Sequence, residues 1–135
     1  MALQYSSTIR DNQLDQVEST IGTSAVMRIL TGSPPANCAA AETGTILAEL
    51  SLPSDWMNAA SGGSKTKLGT WQDASANNTG TAGYFRVYNS GITVCGIQGT
   101  VTGTGGGGDM ELDNTSINSG QTVTINTFTL SAGNA

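Results

Sequence analysis

Ten carboxylates, five cations, two cysteines and no histidine are the groups from which this 135-residue chain must build any chemistry. Without histidine there is no Ser-His-Asp triad, no imidazole acid or base, and no imidazole metal ligand. Two cysteines cannot make a four-thiolate zinc site. Glu42, Glu49, Asp55 and Asp73 are the carboxylates that a two-acid glycoside hydrolysis would draw on. Nothing in their spacing selects a pair. Asp109, Glu111 and Asp113 alternate with Met110 and Leu112. On a strand the three carboxylates share one face and the apolar pair the other. Hard cations favour carboxylate oxygens, but the spacing and glycine of an EF-hand loop are missing. A solvated strand face is expected there, with no metal. The glycines at 105–108 lack the Lys-Ser/Thr of a phosphate-cradling loop. No catalytic residue and no cofactor are assigned.

Cys38 and Cys95 lie 57 positions apart. They read either as a disulfide or as two small thiols, buried or in loops. The N-terminus has neither the basic region nor the apolar region of a secretory signal. Cytosolic synthesis keeps thiols reduced, so two free thiols are the expectation.

The five cations, Arg10, Arg28, Lys65, Lys67 and Arg86, are scattered, and the net charge is −5. A nucleic-acid groove needs clustered positive charge, so no nucleic-acid partner is expected. No apolar run approaches the roughly 20 residues that span a bilayer, so no membrane partner is expected either.

Gly, Thr, Ser and Asn supply 61 of the 135 residues, while charged residues are only 11%. Disordered chains combine low hydrophobicity with high charge, and that charge is lacking here. A folded, Thr-rich β domain with many turns is expected. Ile9, Leu14, Val17 and Ile21 form a helical stripe over 8–21. Ser7 or Thr8 would cap that helix, Asp11 would sit in its first turn, and Gly22 would stop it.

Period-two patterning then gives strands at 25–31, 45–52, from 70, 83–89, 92–102 and 121–130. The segments 83–89 and 92–102 read as a hairpin turning at 89–91. Phe85 and Val87 share one face of its first strand; Tyr84, Arg86 and Tyr88 share the other. Residues 53–69 read as a long connection, 103–108 as flexible turn, and 131–135 as a frayed tail. The apolar face of 121–130 changes near Asn126, which suggests a bulge or a crossing between sheets. The whole reads as all-β, an antiparallel β-sandwich or jelly roll with one short N-terminal α-helix. It is one domain over 1–135, with 1–22 as N-terminal segment and helix and 23–131 as the sandwich.

Several stretches carry a likeness. They are the run from Arg10 to Ser24, the loop from Gly32 to Ala41, Leu52-Pro53-Ser54-Asp55-Trp56-Met57, Gly69-Thr70-Trp71, and the run from Gly80 to Tyr88. Together they resemble small virion structural proteins of tailed bacteriophages and prophages, over nearly the whole chain. The resemblance is best to the head decoration, or cement, class. It implies a binding protein without catalytic residues, made in the host cytoplasm and placed on the capsid exterior, with the major capsid protein as partner. An acidic chain suits that exterior better than the DNA-lined interior. The second reading is a tail or fibre-associated protein, with a glycan-binding face of Trp56, Trp71, Tyr84 and Tyr88. The uncharged, Thr-rich strand ending at Leu130 needs protection, which suggests copies of the chain in a dimer or trimer.

Three surfaces are candidates for partner contact. Leu3, Tyr5 and Ile9 lie in an N-terminal segment that cannot bury them alone. Trp56 and Met57 lie in the long connection and read either as a contact or as an anchor packed beneath it. The Tyr84, Arg86 and Tyr88 face is the third.

Overall fold

The computed structural model describes residues 2–135 and is β-rich, with one α-helix and ten strands. The helix α1 (Ser7–Ile21) starts at Ser6, whose hydroxyl accepts from the Ile9 amide at 3.3 Å. The cap thus lies one residue before those expected, and Asp11 falls beyond the first turn. Gly22 ends the helix as expected, at φ +94°, and its N–H donates to the Glu18 carbonyl.

Six strands form the main sheet. Its order is β2 (Ile46–Ser51), β1 (Val26–Thr31), β5 (Gly80–Tyr88), β6 (Cys95–Gly103) and β7 (Met110–Leu112), with β8 (Ser116–Ile117) also on β5. Met27 opposes Val87 and Leu50, and Ile29 opposes Phe85 and Ala48. These six side chains make one apolar face, and all belong to the buried core. The free edge of β2 is covered. The Leu47 carbonyl accepts from the Asn77 and Asn78 amides, and Asp73 Oδ2 accepts from the Glu49 amide. Capping an edge this way removes a template for aggregation.

The sheet is mixed, which corrects the purely antiparallel expectation. β6 and β7 run parallel, with Val101 beside Met110, although only six residues join them. Parallel neighbours ordinarily need a crossover of a dozen residues or more. The glycine run makes the short return possible. Gly105 and Gly107 hold φ +84° and +80°, which side chains disfavour. The Glu111 carboxylate accepts from both their amides. The segment read as flexible turn is therefore a shaped loop.

Two small ladders pair β3 (Ser64–Thr66) with β10 (Thr129–Ser131), and β4 (Trp71–Asp73) with β9 (Val123–Ile125). The 121–130 strand is thus broken at 126–128 and passes from one ladder to the other, the crossing that the change of face near Asn126 suggested. Trp71 lies 6.0 Å from Trp56 and 5.2 Å from Phe128, and Phe128 meets Phe85 edge-on at 5.5 Å. That chain of rings joins the ladders to the main sheet through one core. The tail is not frayed where Asn134 accepts from the Tyr5 amide.

Candidate functional site

The second face of the main sheet is polar and covered. Tyr84, Arg86 and Tyr88 project from β5 opposite Leu30, Arg28 and Val26 of β1. Over them lies the loop 32–45. The Arg86 guanidinium donates to the Asn37 carbonyl at 3.2 Å and to Gln98 Oε1 at 3.1 Å. Gln98 Nε2 donates to the Pro35 carbonyl at 2.7 Å, and the Tyr84 hydroxyl both donates to and accepts from the backbone of Thr43. Glu42, in the same loop, accepts from Tyr88 Oη at 2.7 Å and from Arg28 Nη1 at 2.7 Å. Arg28 also pairs with Glu49 at 2.9 Å and lies over the Tyr88 ring. Burial works against the Arg28 charge, but Glu49 and Glu42 outweigh it and hold the guanidinium above its ordinary value.

The two cysteines meet on this face. Cys95 pairs with Tyr88 in the β5–β6 register, and Cys38 follows Asn37 in the covering loop. Both thiols are free and partly buried. Burial first, then the hydrogen bond with Cys38, pushes the Cys95 thiol up to about 12.

A second polar cluster sits between α1 and the segment 57–65. Asp11, Asp15 and Glu18 follow one another at helical spacing and share a side of α1. Their carboxylates accept from the amides of Gly63, Ala60 and Met57 at 2.7, 2.9 and 2.9 Å. Lys65, with its side chain only 1% exposed, pairs with Asp15 at 2.7 Å and Glu18 at 3.1 Å. Burial opposes the Lys65 charge, yet those two bonds hold its pKa above the ordinary value. The long connection is therefore fastened along its length by the helix. The spacing of the three carboxylates on one side of the helix is the sequence signal for this fastening, and the apolar stripe does not carry it.

The candidate contact residues now separate. Trp56 and Met57 are 0% and 1% exposed. The anchor reading holds for them, and the contact reading is corrected: the Trp56 indole donates to the Gly22 carbonyl at 2.9 Å. Tyr84, Arg86 and Tyr88 are also buried, because the loop 32–45 covers them. They offer no free surface. The glycan-binding face fails for the same reason, since Trp71 is buried as well. Leu3 and Ile9 are 70% and 47% exposed, and Tyr5 is half-buried.

Most carboxylates already have partners inside the fold. Asp73 accepts from Glu49 and Ser75 amides, Asp109 from Thr100, and Asp113 from Asn126. Among the described residues no group of three or more His, Cys, Asp or Glu side chains gathers to hold a metal. One surface cleft of about 420 Å³ contains Asp55 and Glu18, but Glu18 is engaged by Lys65 and the Met57 amide. No described helix is long and apolar enough to cross a membrane. Comparison with protein-family models, with curated proteins and with solved structures finds no match to this chain.

Proposed function

We propose that the chain is a capsid decoration protein of a tailed bacteriophage, which binds the outer surface of the major capsid shell and stabilises it. The observation that carries the reading, beside the resemblance in sequence, is the N-terminal segment. Leu3 and Ile9 stand exposed there beside Tyr5, on backbone tied to the C-terminal tail. Exposed apolar side chains on an ordered segment fit repeated, symmetric contacts, where many weak bonds sum. The two ladders and the helix facing the main sheet are read as the second layer of a β-sandwich. Copies of the chain assemble on the shell as dimers or trimers, on the capsid exterior, after synthesis in the host cytoplasm. The net charge of −5 supports an exterior position. Electron microscopy of virions carrying a labelled copy tests the proposal. Label spread over the head is the expected result. Label confined to the tail would replace this reading with a tail protein, and virions without label would end both.

A further inference from the structure

Cys38 occupies a fixed position although it lies in a loop. Asn37 Oδ1 accepts from the Ala39 and Ala40 amides at 3.0 and 3.1 Å, which closes a tight turn around Cys38. The Asn37 carbonyl is held by Arg86, and Glu42 is held by Arg28 and Tyr88. Cys38 is therefore bracketed by two tethers to the very strand pair that carries Cys95. Cys95 is the register partner of Tyr88, and its thiol donates to the Ile97 carbonyl at 3.3 Å. Two thiols distant in sequence thus meet between a loop and the sheet that it covers.

We propose that Cys38 and Cys95 are a disulfide-forming site that fastens the loop 32–45 to the polar face of the main sheet, oxidised by exchange with a low-molecular-weight disulfide. The Cys38 thiolate attacks one sulfur of the small disulfide, whose S–S bond breaks and releases one small thiol. Cys95 then loses its proton to solvent and attacks the Cys38 sulfur, and the second small thiol leaves. Two protein thiols are oxidised, and one small disulfide is reduced to two thiols. The partly buried Cys95 thiol, held up to about 12, makes the second step the slow one, so a mixed disulfide on Cys38 precedes the bridge. Both cysteines are only partly buried, so a small reagent reaches them without unfolding the chain. The bridge would close a loop of 57 positions, the kind of long closure that restricts the unfolded chain most.

The test uses the purified full chain with oxidised glutathione at neutral pH, and stands apart from the capsid reading because no capsid is present. The expected product is a monomer lighter by about 2 Da, for two hydrogens removed, whose digest contains one peptide pair joined through Cys38 and Cys95. Its Tm should rise by about 10 °C over the reduced chain. The same treatment of Cys38→Ser should give no such rise. Persisting glutathione adducts, dimers joined between chains, or two unreacted thiols would each overturn the site. A bridge that forms without raising Tm would overturn the fastening.

Discussion

Lys65 sits where a lysine is seldom tolerated, and its two carboxylates explain why it is kept there. Its side chain is 1% exposed, whereas the Asp15 side chain is 43% exposed, so the pair is half in water. Removing one partner of a fully buried pair costs about 3–5 kcal/mol. The solvated Asp15 reduces that figure, and Lys65→Met should lower unfolding stability by about 2 kcal/mol, read from urea denaturation. Adding Asp15→Asn should cost less than the sum of the two single changes, because the pair is then lost only once.

The hydrogen bond from Lys65, then that from the Ala60 amide, holds Asp15 below its ordinary 3.8. A carboxyl lowered in the folded chain binds fewer protons than in the unfolded one. Its stabilisation is therefore present above 3.8 and lost as pH falls below it. Cys95 works at the opposite end. Its thiol rises from 9.0 to about 12, so above pH 9 the unfolded chain releases a proton that the folded chain retains. Stability must then fall as pH rises through that window. Lys65, raised above 10.5, adds to the same alkaline loss. Melting curves between pH 8 and 11 should show this decline, and Cys95→Ser should flatten its part between 9 and 10.5. A decline unchanged in that variant would place its cause elsewhere.

At the scale of elements, β5 and the loop that follows β1 leave no room for a side chain between them. A Cβ on Gly83 would stand 2.0 Å from the Gly32 carbonyl oxygen, a backbone atom that no rotamer change can move. Gly83→Ala should therefore destabilise the chain by about 2 kcal/mol or more, through displacement of the loop 32–45. Faster amide hydrogen exchange at Thr43 and Thr45 would locate the damage there, and wild-type exchange at those amides would refute the mechanism.

Local pairings were the legible part of this fold. The β5–β6 hairpin follows from alternation on either side of one turn, although β6 begins at Cys95 and Ile92 takes φ +55° in a longer turn than expected. The helix and the faces of β5 were legible for the same reason. The parallel β6–β7 pair was not, because a three-residue strand carries almost no period and glycines mark flexibility and tight return alike. Nor was the fastening of 57–65, since its partners are carboxylates on α1 that share no pattern with the segment they hold. The candidate contact residues failed where cover came from a distant loop. Tyr84, Arg86 and Tyr88 look alike in sequence whether water or residues 32–45 lie above them.

Over the whole molecule, few large apolar side chains remain at the surface: Leu3, Ile9, Leu68 and Val94 are the exposed ones among the described residues. Two of the four lie within seven positions at the N-terminal end, where Ser6 caps the helix and Tyr5 is tied to Asn134. Removing that whole segment would also remove the cap, which itself contributes about 1 kcal/mol to the helix. Substitution separates contact from folding more cleanly. Neither Leu3 nor Ile9 belongs to the core, so Leu3→Ser with Ile9→Ser should change unfolding stability by no more than about 0.5 kcal/mol each. If the segment lies against the shell, each lost contact recurs at every copy, and truncating an interface anchor costs about 2 kcal/mol or more. Occupancy on purified capsids, measured by cosedimentation at limiting protein, should then fall at least tenfold while the melting curve stays in place. Wild-type occupancy by this folded double variant would move the contact off the N-terminal segment, and Val94 at the β5–β6 turn, 62% exposed, would be the next surface to test.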